Sequence, residues 1–408
     1  MKRGEQHFVA EKPVVVLVDG YGLIFRAYHA LPPSMATAGG EQTNAVYGFA
    51  SMLLDVLEQR KPTYAVVALE SGRTFRHDSY EGYKANRGAM PEDLREQVAR
   101  VRELIAALRI PIEEREGYEA DDVIGSLSRE LVRDHDLSVV VVTGDSDLLQ
   151  LVDENVLVVL PGARRFGEVR EFDIPAVHER YGFGPELVPD YKALVGDTSD
   201  NIPGVPGIGD KTAKALISQF GPIEEIYAHL SEVTPTRARN ALDDRQEQAQ
   251  KSKALATIVR DLNIDLDLDH SHMGRYDRDA VAELFRELEF RSLLQKLPAT
   301  IGPDGHALPS GKKIEAPSGG SQTIVCTEDQ LAALVNRIGQ AEAIAVDVET
   351  DSKDPMQANL VGIAVATSPR EAYYVPVGHN DGEQLSLDRV REVLNPGLQR
   401  EGLKLYTH

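Results

Sequence analysis

Short β-branched, apolar runs that alternate with stretches of helical period constrain the fold of this chain more than any other sequence feature. The runs occupy residues 14–18, 64–68, 139–142 and 156–160. Runs that are apolar on both faces are typical of strands covered on both sides. Amphipathic stretches at 45–58, 91–108 and 120–132 lie between them. This alternation predicts an α/β fold with a mainly parallel sheet, whose ligand site lies at the carboxyl ends of the strands.

The later part of the chain changes character twice. Helical patterns dominate from 185 to 298, a Gly-, Pro- and Ser-rich stretch follows, and short apolar runs return at 343–346 and 361–366. A chain of 408 residues is long enough for two or three domains. We expect a catalytic core at 1–184, a helical subdomain at 185–298, a linker at 299–322, and a truncated α/β domain at 323–408 that exposes apolar strand surface.

Composition narrows the location and the partners. Cys326 is the single cysteine, which excludes an intrachain disulfide and suits a reducing cytoplasm. The longest apolar run near the start is too short for a bilayer or a signal peptide, so we expect no membrane association. A net charge of −21 argues at first sight against a polyanionic partner. Local clusters of Lys and Arg can still steer a nucleic acid, because local field matters more than the total.

Eight acidic residues fall at four places that a sheet of this kind would bring together. They are Asp19, Glu119, Asp121, Asp122, Asp145, Asp147, Asp197 and Asp200. Each fragment alone also fits a helix cap or an acid that complements a helix dipole. Together, however, eight carboxylates would repel one another unless cations held them. Since neither His nor Cys lies among them, the set favours two Mg²⁺ or Mn²⁺ ions in a site for phosphodiester hydrolysis.

Basic and aromatic residues are mixed in the stretch 74–87. Arg76, Lys84 and Arg87 could hold backbone phosphates, and Tyr83 could stack on an unpaired base. A solvated helix with its tyrosines packed on the core explains the pattern equally well. Arg26, which follows Asp19, carries the same two interpretations.

The glycine-rich turn 204–209 leads into a helical stretch. It is not a nucleotide-binding P-loop, because Asp210 separates the last glycine from Lys211 and no strand precedes it. Free N–H groups at such a turn can bind a DNA phosphate. The candidate DNA-binding residues here are Gly204, Val205, Gly207, Ile208, Gly209 and Lys211. A plain helix–turn–helix with glycine caps is the alternative.

Five motifs in order resemble those of the 5′ nuclease domain of bacterial DNA polymerase I. They are VDGYG (18–22), FRHD with YKANR (75–87), GYEADD (117–122), TGDSDLLQ (143–150) and GDTSDNIPGVPGIGDKTA (196–213). The resemblance covers roughly 13–298 and implies a PIN-like core, a helical arch and a helix–three-turn–helix DNA clamp. It implies metal-ligand roles for the eight acids, catalytic roles near the scissile phosphate for Lys84 and Arg87, and K⁺ at the clamp.

The resemblance also implies the substrates and one departure. The family removes RNA primers and 5′ flaps from DNA in replication and repair, and a polymerase domain is expected in the full-length protein. The family normally carries an Asp where this chain has Leu69, followed by Glu70. Because adjacent strand residues point to opposite faces, Glu70 can substitute only if the strand has already ended.

Beyond the linker, the segment AVDVET (345–350) resembles the first motif of a 3′-5′ proofreading exonuclease, a ribonuclease H-like domain. Asp347 and Glu349 would be two metal ligands on one strand face, in a site that the chain does not complete. The leading hypothesis for the whole chain is a structure-selective 5′-3′ exonuclease and flap endonuclease. The alternatives are a catalytically weak module that binds branched DNA, and a phosphatase or other hydrolase on a similar core.

Overall fold

The computed structural model describes residues 12–161, 168–301, 321–350, 358–368, 371–379, 382–400 and 402–407. The chain forms two compact units, Met1–Ser310 and Gly311–His408. The division falls within the stretch 299–322 that was expected to be a linker, of which 302–320 lies outside the described residues.

A six-stranded sheet organises the first unit. Its strands are β1 (Val14–Asp19), β2 (Tyr64–Ala68), β3 (Ile112–Glu113), β4 (Ser138–Val142), β5 (Val156–Pro161) and β6 (Val169–Phe172). Their order is β3-β2-β1-β4-β5-β6, and only the β5–β6 pair is antiparallel. The sheet is therefore mainly parallel, and the predicted fold class is confirmed.

Twelve α-helices accompany this sheet in the described part of the first unit. They are α1 (Gly20–Ala30), α2 (Asn44–Arg60), α3 (Phe75–Ser79), α4 (Glu92–Ala107), α5 (Ala120–His135), α6 (Ile174–Tyr181), α7 (Val188–Val195), α8 (Asp210–Phe220), α9 (Ile223–Ala228), α10 (Thr236–Leu242), α11 (Gln246–Ala256) and α12 (Arg278–Glu287). Short 3₁₀ helices span Ser146–Leu151, Pro185–Leu187, Leu230–Glu232 and Arg291–Lys296. No strand forms between 185 and 298, a range that is fully described, as the sequence predicts.

The apolar strands bury both faces of the sheet. Val15 and Leu17 of β1 pack in a core with α5 and with the helices from α6 to α11. Val16 and Val18 point the other way, into a core with α1, α2, α4 and α12. Alternate residues of one strand thus pack into two different cores, which explains why the apolar runs have no polar face. No helix among the described residues is long and apolar enough to span a bilayer.

The second unit has a sheet of its own with helices packed against it. Its strands are β7 (Ser321–Ile324), β8 (Ala343–Thr350), β9 (Leu360–Ser368), β10 (Glu371–Pro376) and β11 (Lys404–Thr407), in the order β11-β8-β9-β10-β7. Helices α13 (Glu328–Gln340) and α14 (Leu387–Leu398) share a core with β8, β9 and β10.

Large hydrophobic side chains are exposed only in the second unit, as far as the described ranges go. They are Ile324, Val348, Leu387, Leu405 and Tyr406. This exposed apolar surface matches what the sequence predicts for 323–408.

Candidate active site

Asp19 lies at the C-terminal end of β1 and is buried. Its Oδ1 accepts a hydrogen bond from the Gly22 N–H (2.9 Å), which caps α1, and its Oδ2 accepts one from the Thr143 hydroxyl (2.7 Å). A Cβ at residue 22 would lie 1.9 Å from Oδ2, so only glycine fits there. Burial, together with nearby Asp145 and Glu70, raises the pKa of Asp19 to about 6 despite these hydrogen bonds.

The loop after β4 carries Asp145 and Asp147. The Asp145 N–H donates to the Thr143 hydroxyl (2.9 Å), and the Asp147 N–H donates to Oδ1 of Asp145 (2.9 Å). Gly144 lets this loop approach the start of α1, since a Cβ there would lie 2.8 Å from the Gly22 carbonyl oxygen. Burial, and then repulsion by Asp145, raises the pKa of Asp147 well above its usual range.

Helix α5 brings two more carboxylates to this edge of the sheet. Glu119, its N-cap, accepts a hydrogen bond from the Lys84 ammonium through Oε1 (2.8 Å) and one from the Tyr83 hydroxyl through Oε2 (3.0 Å). Burial and repulsion by Asp145 and the other acids at this edge raise the pKa of Asp121. Strand ends and a helix start therefore supply one acidic surface.

Asp122 has a different environment from the acids around it. It is fully buried, and both of its oxygens accept hydrogen bonds from the Arg76 guanidinium (2.6 and 2.8 Å). Arg76 also donates to the carbonyl oxygens of Leu255 (2.8 Å) and Thr257 (2.9 Å), at the C-terminal end of α11. A metal ion at Asp122 would have to displace a buried, bidentate ion pair. The sequence predicts Asp122 as a ligand, whereas the structure gives it a positioning role.

Arg76 and Tyr83, which the sequence predicts to contact DNA, are both buried. Each side chain is 2% exposed. Arg76 is held by Asp122, and the Tyr83 hydroxyl donates to Glu119 and to Asp200 (2.9 Å). In this structure both residues organise the acidic surface instead of facing a ligand. The alternative interpretation of stretch 74–87, with tyrosine packed on the core, holds at Tyr83.

Lys84 and Arg87 lie against the acids. The Lys84 ammonium is 2.8 Å from Glu119, 3.4 Å from Glu70 and 4.0 Å from Asp200. Arg87 donates to Oδ1 of Asp200 (2.6 Å), and its side chain remains 45% exposed. Neighbouring carboxylates raise the pKa of Lys84 above its ordinary value, although burial opposes this. Both cations therefore stay charged beside the acids.

The loop after α7 completes the site. Oδ1 of Asp197 accepts hydrogen bonds from the N–H (2.7 Å) and hydroxyl (2.6 Å) of Ser199, and its Oδ2 contacts the Lys192 ammonium. Burial raises the pKa of Asp197, but Lys192 and these hydrogen bonds outweigh it and lower the pKa to about 2. Lys192 also contacts Asp147, so it joins two loops of the site.

Leu69 and Glu70 resolve the departure from the family pattern. Strand β2 ends at Ala68, and Leu69 is buried, with its Cδ2 2.4 Å from the point where a Cβ of residue 20 would lie. Glu70 follows, and its Oε1 lies 3.4 Å from the Lys84 ammonium. It also adds to the repulsion on Asp19 and Glu119. The strand has ended, so Glu70 brings to the site the carboxylate that Leu69 lacks.

Eight carboxylates thus form one group, which we call the acid cluster. Its members are Asp19, Glu70, Glu119, Asp121, Asp145, Asp147, Asp197 and Asp200. Across the described ranges, no three acidic, His or Cys side chains stand arranged to hold a metal ion. Lys84, Arg87 and Lys192 contact oxygens of Glu119, Asp200 and Asp147 in this cluster.

Sequence reasoning did not identify Lys192 or Thr143 as members of the site, and it considered Glu70 only on the condition that its strand had already ended. Lys192 precedes Asp197 by little more than one helical turn, and this spacing was a signal that could have found it. Thr143 directly precedes the Gly-Asp of the β4 loop, where a hydroxyl can hold the loop.

The turn 204–209 lies between α7 and α8. Val205 and Ile208 are buried and anchor it, and the Val205 N–H donates to the Leu194 carbonyl oxygen (2.8 Å). Gly207 is exposed with φ of 95°, which favours glycine. Gly209, the N-cap of α8, and Lys211 are also exposed, while Gly204 is half-buried. The backbone of this turn, not its apolar side chains, faces solvent.

The three remaining predicted residues are Arg26 in the first unit and Asp347 and Glu349 in the second. Arg26 is half-buried on α1. In the second unit, Asp347 and Glu349 are both exposed on β8, two residues apart. The Val348 N–H donates to Oδ1 of Asp347 (3.0 Å).

Three family models match successive parts of the chain. The 5′-3′ exonuclease N-terminal resolvase-like domain matches residues 14–182, and the 5′-3′ exonuclease C-terminal SAM fold matches 183–279. A 3′-5′ exonuclease model matches 322–402.

Curated relatives and one solved structure agree with these matches. DNA polymerase I of Chloroflexus aurantiacus is 41% identical over 94% of the chain and 44% of its own length. DNA polymerase I of Pseudomonas aeruginosa is 40% identical over 94% of the chain and 42% of its own length. The chain thus spans less than half of these relatives. The T5 5′-exonuclease with bound divalent metal ions (zinc) has a TM-score of 0.51 at 20% identity, covering 68% of the chain and 98% of that structure, which shows a shared fold.

Proposed function

We propose that the chain belongs to the bacterial DNA polymerase I family, and that the two 5′-3′ exonuclease domains it matches are a metal-dependent nuclease that cleaves DNA at or near 5′ ends. Its substrates are 5′ flaps and the RNA primers that precede DNA in replication and repair. The observation that carries this proposal is the acid cluster, whose members come from five separate parts of the chain to one edge of the sheet.

The residues of the acid cluster suit hard divalent cations. Their donors are all carboxylate oxygens, which Mg²⁺ and Mn²⁺ prefer. Oδ1 of Asp147 is buried, and its partner within the described structure is a cation, the Lys192 ammonium. A buried oxygen of this kind is costly unless a cation uses it.

Asp19, Glu119, Asp121 and Asp145 would hold one ion, and Asp147, Asp197 and Asp200 would help to hold a second. Ions bound there supply Lewis acidity, which activates water for attack on phosphorus and stabilises the leaving oxygen. Thr143 and Gly22 fix the orientation of Asp19, and the Asp122–Arg76 pair fixes the start of α5. These contacts set the positions of the carboxylates before substrate arrives.

Lys84 and Arg87 hold the phosphate that is cut. Each is paired with cluster acids. Once divalent ions neutralise those acids, the ammonium and guanidinium become available to a phosphodiester, for which a guanidinium offers paired donors. Arg87, with a side chain that is already 45% exposed, meets the substrate first.

The turn 204–209, with Lys211, binds the backbone of the duplex next to the flap. Gly207, Gly209 and Lys211 are exposed, so N–H groups and an ammonium are accessible to phosphates. We assign a monovalent cation, K⁺, to the carbonyl oxygens of this turn. Arg26 on α1 is assigned to the strand that carries the 5′ end.

Cleavage of a 5′-flap duplex, labelled at the flap, tests this function directly. We expect cleavage with Mg²⁺ or Mn²⁺ that leaves a 5′-phosphate on the downstream strand, and none with EDTA. A protein that binds the flap but leaves it uncut at every concentration of Mn²⁺ would instead be a DNA-binding module. Hydrolysis of small phosphoesters with no preference for the flap would indicate a phosphatase.

A further inference from the structure

Lys192 lies inside the acid cluster, where it contacts two carboxylates from different loops. Its ammonium meets Oδ1 of Asp147, after β4, and Oδ2 of Asp197, after α7. The Lys192 side chain is 11% exposed, and those of Asp147 and Asp197 are 10% and 8% exposed. Two buried anions converge on one buried cation, so this ammonium supplies the positive charge that holds the two loops together in the metal-free protein.

Both contacts of Lys192 are direct charge-assisted hydrogen bonds. The ammonium donates to Oδ2 of Asp197 and to Oδ1 of Asp147, so it occupies one oxygen of each carboxylate. The ammonium brings a single positive charge to two carboxylates. A compact divalent ion would bring twice that charge to the same two oxygens, and it would therefore compete with Lys192 for them.

The ammonium has room to leave this position. Lys192 and Asp197 line a cleft of about 360 Å³. Tyr191, Thr198, Asp210 and Lys214 line the same cleft. Asp210 is exposed, pairs with Lys214 (2.8 Å) and accepts a hydrogen bond from the Tyr191 hydroxyl (2.8 Å). The cleft gives the flexible four-carbon side chain of Lys192 space in which to rotate away from the two carboxylates.

We propose that Lys192 is an internal counter-ion that holds Asp147 and Asp197 together until a divalent cation replaces it, when its ammonium swings into the adjoining cleft. The inference rests on the proposed function, because it assigns the same carboxylates to a metal ion. It goes further in making Lys192 a competitor of that ion. Lys192 is a positioning residue with two opposing effects. It holds Asp147 and Asp197 together, and it lowers their affinity for a metal ion.

Competition and a purely structural role predict opposite changes in metal affinity when Lys192 is removed. If Lys192 only braced the two loops, its removal would loosen the carboxylates and weaken metal binding. If it competes with the ion, its removal strengthens metal binding while it destabilises the metal-free protein. We expect Lys192→Met to bind Mn²⁺ about tenfold more tightly at the competed site, within the usual range of coupling between two ligands.

Isothermal titration with Mn²⁺ and thermal unfolding, each with and without the ion, test the inference on the full chain. Lys253→Met is the matched control. Lys253, on helix α11, also bridges two carboxylates, those of Asp190 (2.7 Å) and Glu224 (2.8 Å), and neither belongs to the acid cluster. We expect that control to leave the affinity for Mn²⁺ unchanged. Lys192→Arg, which keeps the charge, should bind Mn²⁺ no more tightly than wild-type.

The expected result is tighter Mn²⁺ binding by Lys192→Met, with a lower Tm in EDTA and a larger gain in Tm on adding Mn²⁺. Equal or weaker binding by a folded Lys192→Met would overturn the inference. If that variant does not fold without metal, Lys192→Gln replaces it and carries the same expectation. A wild-type chain that binds no Mn²⁺ would remove the proposed function itself, whereas wild-type binding without a gain in the variant removes only the role of Lys192.

Discussion

The two units of the chain each place acidic residues at a strand of a sheet, but in contrasting surroundings. In the first unit, Asp19 is 5% exposed and its oxygens accept hydrogen bonds from Gly22 and Thr143. In the second, Asp347 and Glu349 are exposed on β8. The acids of the first unit belong to a cluster drawn from five parts of the chain, whereas the second pair comes from one strand.

The two sets of acids differ in burial, and burial decides whether a group of carboxylates needs a cation. Burial raises the pKa of Asp19, Asp121 and Asp147, so the first unit bears an electrostatic penalty that a divalent ion would relieve. Exposed carboxylates on one strand bear little of that penalty, since water screens them. Functional sites are often marked by such shifted groups, and the first unit has them.

The largest difference between the units is expected from removal of one carboxylate in each. Asp145→Ala should lower the rate of flap cleavage on the order of 10³-fold. Asp145 lies close enough to Asp121 and Asp147 to raise the pKa of both, and loss of a metal ligand costs several kcal/mol of transition-state stabilisation. Single-turnover cleavage with Mn²⁺ measures the effect. Asp347→Ala is the matched control and should cleave the flap at the wild-type rate. Equal loss in both variants would end the distinction between the units.

Buried and exposed ion pairs should differ in stability in the same way. Arg76→Met leaves Asp122 buried without its partner and should lower the free energy of unfolding of the first unit by about 3–5 kcal/mol. Arg389→Met breaks the exposed pair with Glu328 in the second unit and should have no measurable effect. Urea denaturation checks both. A first unit that tolerates Arg76→Met would show that the pair does not organise the site.

The pH dependence of stability should carry the mark of the cluster. Because the folded, metal-free protein raises the pKa of Asp19 from 3.8 to about 6, the contribution of Asp19 to stability is full below pH 3.8 and lost as the pH rises through 6. In EDTA, Asp19→Asn should therefore raise the free energy of unfolding near neutral pH by on the order of 2 kcal/mol, and have little effect near pH 4.

Asp347→Asn, at an exposed position of the second unit, is the control for this titration. Its stability profile should follow that of wild-type at every pH. Saturating Mn²⁺ should cancel the benefit of Asp19→Asn, because the ion then neutralises the carboxylate. A benefit that persists with Mn²⁺ would mean that Asp19 is not a ligand.

The smallest effect concerns the end of β2. Glu70→Gln should lower the cleavage rate about tenfold, because the carboxylate lies beside Lys84 and the acids around it. Leu69→Asp should lower stability without raising activity, because residue 69 is buried in the core against α1. Faster cleavage by Leu69→Asp would show that this position, and not Glu70, faces the metal ions.

Much of the fold and the approximate site were predictable from the sequence. The apolar runs at 14–18 and 139–142 fix β1 and β4, and parallel strands place Asp19 and Asp145 at one edge. Pairings between distant side chains were not predictable. Arg76 binds carbonyl groups 179 and 181 residues away, which no local pattern encodes. The same holds for Lys192, whose partner Asp147 precedes it by a strand pair and a helix.

Anomalous scattering from a crystal of the chain soaked in Mn²⁺ tests the central claim most directly. The account predicts Mn²⁺ peaks within bonding distance of carboxylates of the acid cluster, with Asp145 beside them, and a displaced Lys192 side chain. Peaks confined to Asp347 and Glu349, or an acid cluster that stays without Mn²⁺ while Lys84 and Lys192 keep their contacts, would contradict it.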